Sequence, residues 1–171
     1  MKAYHGIRLK DPGVLKEGLK LWSPRECKEE VRRAFDYFAK KGYLNPNDPE
    51  VKEALDAALL ECERRFSTRG IHVTVFEDAA CGWALRNPEI AWVHLGFLMK
   101  DDEPLIPDEE IHRYLEKRYG KPYCLEIDLD KLVPPEKQKD LMKGGMGGAD
   151  IFLPIPSGKL DRSVIREIRR C

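Results

Sequence analysis

The hydrophobic period of this chain switches repeatedly between two and about 3.6 residues, without the regular strand-helix-strand alternation of a parallel sheet. Residues 3–9, "AYHGIRL", read as a short strand opening into a turn. Two helical stretches then follow one another over about 24–68 with no strand between them. The run "GIHVTVF" returns to period two, with His72 and Thr74 on one face and Ile71, Val73 and Val75 on the other. A small-residue helix, "EDAACGWALRN", and an apolar, β-rich run, "EIAWVHLGFLM", come next. "PDEEIHRYLEKRYG" sets Ile111, Tyr114, Leu115 and Arg118 on one side of a helix. "PYCLEIDLD" alternates strictly, with Tyr123, Leu125, Ile127 and Leu129 opposite Glu126 and Asp128. This order favours an α+β fold of split small β-sheets over a doubly wound sheet.

The two consecutive helices carry the clearest local signals. Ser23-Pro24-Arg25-Glu26 is a capping box with proline at the first helical position, followed by Cys27, Val31, Ala34, Phe35 and Phe38 on one apolar face as far as Gly42. Asp48-Pro49 starts the second helix, whose stripe of Val51, Ala54, Leu55, Ala58, Leu59, Cys62 and Phe66 ends near Gly70. Residues 11–22 read as a short, glycine-interrupted helix, and "KLVPPEKQKDLMK" as a loop with one helical turn. For the basic C-terminal segment a helix is one reading.

Composition bounds the function classes. A chain of 171 residues is expected to form one domain over 1–171, with the helical pair at about 24–68 as an insertion. Lys+Arg and Asp+Glu both number 30, so the sequence-independent phosphate attraction of a basic protein is missing, and nucleic acid is a partner that net charge does not indicate. Three asparagines (Asn45, Asn47, Asn87) and one glutamine (Gln138), against 35% charged residues, match a thermophile composition. No apolar run reaches the ~18 residues of a membrane span and no leader is recognisable, so a cytoplasmic protein with no membrane partner is expected. The five cysteines, at 27, 62, 81, 124 and 171, form no C-x-x-C pair, which indicates neither a metal site nor a complete disulfide framework. Cys27 and Cys62, on helical apolar faces, read as small hydrophobes.

Three segments look costly to keep for packing alone. In Tyr4-His5-Gly6 a glycine permits close backbone approach beside a histidine. Arg69-Gly70-Ile71-His72-Val73-Thr74 leads into a helix containing Asp78, Ala79, Ala80, Trp83 and Ala84. In "KGGMGGADIFLP" four glycines in five residues precede Asp150. These glycines lead into a strand, so the helix-dipole argument for a phosphate cradle fails. Two readings stand: a flexible hairpin connection, or a mobile loop delivering a substrate to Asp150.

Together the three segments resemble the ADP-ribosyltransferase superfamily, in the branch whose motif is histidine, tyrosine and glutamate on separate strands and which includes RNA 2′-phosphotransferase relatives. The likeness covers 3–22, 70–86 and 122–168. It implies an ADP-ribosyltransferase-like fold and NAD as substrate. His5 would bond the adenosine-side ribose and Gly6 would hold the nicotinamide amide. His72, at the tyrosine position, or Trp83 would pack on nicotinamide, with Thr74 on the same cofactor face. Arg8 or Arg69 would pair the pyrophosphate. Asp150 would take the catalytic acid position, one methylene shorter than glutamate, with Glu126 or Asp128 next in line. The implied activity is transfer of ADP-ribose to an unknown protein or nucleic-acid acceptor. One alternative is RNA 2′-phosphotransfer, with a basic groove of Arg8, Arg69, Arg86 and Lys143. The other is a non-catalytic module docking a partner through Tyr37 and Tyr43 of the helical pair, with a vestigial cleft.

Overall fold

The computed structural model describes residues 1–66, 69–86, 98–143, 148 and 150–171. In chain order the first elements are β1 (Lys2–Leu9), a 3-10 turn (Pro12–Glu17), β2 (Leu19–Lys20), α1 (Pro24–Lys40), α2 (Pro49–Phe66), β3 (Gly70–Val73) and α3 (Glu77–Arg86). The hairpin strands β4 (Met99–Lys100) and β5 (Glu103–Pro104) precede α4 (Asp108–Tyr119) and β6 (Lys121–Asp128). The rest comprises α5 (Pro135–Lys143), β7 (Ile151–Pro154), β8 (Lys159–Leu160) and β9 (Ile165–Arg170). Helices and small, separate sheets thus intermix in an α+β arrangement. The chain divides into two compact units, one of Met1–Leu21, Arg69–Pro88 and Leu115–Cys171, the other of Trp22–Thr68 and Glu89–Tyr114. The helical pair therefore shares its unit with part of the segment after α3.

The first unit is organised by β6, which pairs antiparallel with β1 on one side and β9 on the other. One face of this sheet supplies Ala3, Ile7, Leu125 and Ile127 to an apolar core completed by Ile71, Val73, Ile151 and Leu153 of the two-stranded β3–β7 sheet. The opposite face carries the acids of the alternating strand. Glu126 and Asp128 are nevertheless buried. They are held by cations: Lys2 and Arg169 reach Glu126 at 3.0 and 3.2 Å, and Arg166 reaches Asp128 at 2.8 Å. Breaking such buried pairs from one side leaves a charge uncompensated, so these acids are fixed structural groups.

That ladder explains why the C-terminal segment is a strand rather than a helix. A register shift between Glu126 and Ile127 sets Arg166 aside from the pairing, and its guanidinium turns to Asp128. Arg169 bridges Glu126 to Glu77 at the start of α3. Two other local expectations change. The helix expected over 11–22 is a 3-10 turn that stops at Gly18, after which β2 pairs with β8. The loop expected over 131–143 contains the full helix α5. Of the run "EIAWVHLGFLM" all but the last two residues lie outside the described residues, and Met99 belongs to the β4–β5 hairpin.

α3 lies on β1 because both surfaces lack bulk. A Cβ built on Gly6 would sit 1.9 Å from the carbonyl oxygen of Ala80 and 2.9 Å from the amide nitrogen of Ala84. Cys81 of α3 is disulfide-bonded to Cys171 beyond β9, with Cα atoms 5.4 Å apart. This staple was not legible in the cysteine spacing.

In the second unit α1 and α2 pack through the expected stripe, with Cys27, Val31, Ala34, Phe38, Val51, Ala58 and Cys62 buried. Ser23 accepts from the Glu26 amide, the N-cap half of the capping box, and its hydroxyl donates to the Glu26 carboxylate. Asp48 accepts from the Glu50 amide at the head of α2. Phe38, Tyr37 and Tyr114 form a ring cluster with centroids 4.9–5.3 Å apart.

Because the atoms facing Gly6 are backbone, they yield little to an added methyl. Gly6→Ala is expected to lower stability by about 3 kcal/mol, read as a lower denaturant midpoint at unchanged slope. An unchanged midpoint would show that α3 can recede from β1.

Candidate active site

β3 is positioned from both edges. On one side it pairs with β7, which sets His72 opposite Phe152. On the other, just past its end, Thr74 exchanges backbone hydrogen bonds with Tyr4, at 2.7 and 2.9 Å. Thr74, placed by period two on the same face as His72, is fully buried. Its hydroxyl donates to the carbonyl of Gly148 and accepts from the amide of Phe76, both at 3.1 Å.

The carbonyl of Gly148 also accepts from the amide of Val75, at 2.9 Å. Gly148 has φ +88°, and a Cβ there would come within 2.8 Å of the Val75 side chain. Glycine is required at that point. The final glycine of the run is thus clamped to the end of β3. Asp150, two residues on, stands beside His72, with its Oδ1 2.7 Å from His72 Nδ1.

A carboxylate only accepts, so Nδ1 of His72 carries the proton and Nε2 is left with a lone pair when the ring is neutral. The pair is accessible, His72 being 30% exposed and Asp150 50%. The imidazole lies 5.2 Å from the Phe152 ring, tilted by 56°. This is the arrangement in which a carboxylate orients a histidine to act as a general base.

His5 completes the chain of contacts. Its Nδ1 donates to the backbone carbonyl of His72 at 2.8 Å. The ring is buried, and its Nε2 finds no partner among the described residues. Burial pushes the imidazole below its ordinary value of 6.5; the bond to the His72 carbonyl opposes this, and the neighbouring His72 ring adds to it. The result is a neutral ring whose Nε2 presents an unsatisfied acceptor.

Three residues named from distant segments, His5, His72 and Asp150, are therefore brought together. Others have structural tasks. Arg8 is buried, and its terminal nitrogens donate to the carbonyls of Gly120 and Leu85, at 2.9 and 2.8 Å. It caps the C-terminal ends of α4 and α3, where a cation is favoured. It is not available as a pyrophosphate clamp. Gly6 is closed off by α3, and Thr74 spends its hydroxyl on Gly148 and Phe76. Trp83 is half-buried on α3. The exposed Arg69 lies against Gly158. Glu126 and Asp128, the reserve acids, are held by the arginines of β9 and by Lys2.

Sequence reasoning missed Phe152 as the neighbour of His72 and Gly148 as the anchor. The signal for both was pairing of "GIHV" with "IFLP", which only tertiary structure supplies. A groove of about 570 Å³ on the same unit is lined by Leu132, Val133, Lys137, Asp140, Leu141 and Leu153 among others, and does not include the three site residues. Among the described residues no cluster of three or more His, Cys, Asp or Glu suits a metal, and no helix is long and apolar enough to cross a membrane. No family model, curated protein or solved structure matches this chain.

The buried His5 has a pH signature. The unfolded chain takes up a proton at this residue near the ordinary 6.5, whereas the folded chain resists it. The contribution of neutral His5 is present above that pH and is lost as pH falls toward the depressed folded value. Denaturation curves should show stability declining through this window, with a shallower decline in His5→Gln. Identical slopes in the two proteins would mean that His5 titrates normally in the fold.

Proposed function

We propose that this chain is an ADP-ribosyltransferase-like enzyme that consumes NAD and passes ADP-ribose to a protein or nucleic-acid acceptor. The observation that carries the reading is the connected set His5, His72 and Asp150, drawn from three separated segments and joined by hydrogen bonds of 2.8 and 2.7 Å. The resemblance of those segments to the superfamily's three motifs supplies the substrate.

The chemistry follows from charge. Departure of nicotinamide with the electron pair of its ribosyl bond leaves an oxocarbenium-like centre, which a nearby carboxylate stabilises. Asp150 has that role, and its link to His72 compensates in part for the missing methylene by placing an oriented imidazole where the carboxylate does not reach. His72 Nε2 accepts the proton of the attacking acceptor group as the new bond to ribose forms. The imidazole face, beside Phe152, offers an aromatic surface for nicotinamide, and the partnerless Nε2 of His5, enclosed in the free chain, becomes an acceptor for a ribose hydroxyl once binding uncovers it. Arg69 replaces Arg8 as the pyrophosphate partner in this reading.

The RNA 2′-phosphotransferase alternative loses Arg8 from its basic groove, since that side chain is engaged with two carbonyls. The docking-module alternative loses part of its surface, since Tyr37 packs on Phe38 and Tyr114.

NAD at a hundred times its dissociation constant should stabilise the native state by about 2.7 kcal/mol, a rise in Tm of roughly 5–10 °C. Nicotinamide release should follow over hours. Asp150→Ala should abolish release while keeping the thermal shift. Absence of both shift and release in the wild type would overturn the proposal, and turnover retained in Asp150→Ala would remove this acid from the chemistry.

A further inference from the structure

The second unit holds two thiols that the proposed reaction does not use. Cys27 closes the first turn of α1, and Cys62 lies one turn before the end of α2. Both are fully buried on the seam between the helices. Their sulfurs are 2.7 Å apart, within hydrogen-bond reach of one another. That separation is well inside the contact distance of two non-bonded sulfurs, so the two thiols already lie within reach of a shared bond. The adjacent residues, Lys28 and Glu63, form an ion pair across the same turns.

We propose that Cys27 and Cys62 form a dithiol site that a small-molecule disulfide of the glutathione type converts into a covalent cross-link between α1 and α2. A protein thiolate attacks one sulfur of the small disulfide and displaces one small thiolate. The second protein thiol, on losing its proton, attacks the protein sulfur of the mixed disulfide and displaces the other. Two protein thiols are oxidised, and one small disulfide is reduced to two thiols that take up the two protons.

Both cysteines sit near helix ends, where local opening costs least and a reagent enters most easily. The hydrogen bond shared with Cys27 is the largest influence holding the Cys62 thiol below its ordinary value, with burial opposing and the Lys28 charge assisting. Cys124 provides the contrast: burial, with the adjacent acids, pushes it up to about 11. The Cys81–Cys171 bond of the first unit shows that this chain accommodates an oxidised pair.

The test uses the full wild-type chain equilibrated in buffers of increasing oxidised-to-reduced glutathione ratio, acid-quenched, unfolded, alkylated and mapped by mass spectrometry. The expected result is a peptide containing Cys27 linked to one containing Cys62. The titratable thiols should fall from three, Cys27, Cys62 and Cys124, to Cys124 alone. Tm should rise by roughly 5–15 °C, the range expected for closing a loop of this length. Three thiols at every ratio in a folded chain, a stable glutathione adduct on either cysteine, or a link to Cys124 instead would overturn the proposal. A Cys27→Ala, Cys62→Ala chain serves as control and should show no ratio-dependent change in Tm.

Discussion

The site depends on one pair of backbone hydrogen bonds, those exchanged by Tyr4 and Thr74. A two-stranded ladder of four residues a side is marginal in water unless something covers or extends it. The Tyr4–Thr74 bridge ties the β3–β7 ladder to the three-stranded sheet, and the shared apolar core of Ile71, Val73, Ile151 and Leu153 against Leu125 and Ile127 secures the arrangement. Once β3 is fixed in that register, the carbonyl of His72 meets the ring of His5, and the hydroxyl of Thr74 reaches Gly148. The acid of one segment and the histidines of two others then share a place, His5 on β1, His72 on β3 and Asp150 just before β7.

This also accounts for the glycine at 148. Gly148 adopts a left-handed backbone conformation against Val75, closed to any side chain, and its carbonyl receives two hydrogen bonds from the end of β3. A single carboxylate two residues later stands against an imidazole. The two histidines differ in kind as a result. His5 is kept neutral by burial, whereas His72 is open to solvent and oriented by a carboxylate. Division of labour between a fixed acceptor and an accessible base is a common way for a small site to orient and react with one ligand.

What was legible in the sequence was local. The capping box at Ser23 and the apolar stripes of α1 and α2 need no distant partner, and the structure reproduces them. The three segments of the site were recognisable because each combined a glycine with a chemically capable side chain. What escaped was set by long-range pairing. The arginine-rich "IREIRR" has no strand signature of its own; it becomes a strand because the acids of β6 need cations. Gly6 looked like an opening for a ligand but accommodates the backbone of α3. Arg8 looked like an anion clamp but closes two helix ends. In both cases residue type announced a close contact correctly, and only the fold determined whether protein or ligand fills it.

The central claim is that His5, His72 and Asp150 line one site for a dinucleotide. A crystal structure of the chain with a non-cleavable NAD analogue tests it most directly. The account predicts the nicotinamide against the His72 ring, a ribose hydroxyl on Nε2 of His5, and Asp150 beside the nicotinamide ribose. Density for the analogue elsewhere on the molecule, or His72 and Asp150 separated with the ligand bound, would contradict it.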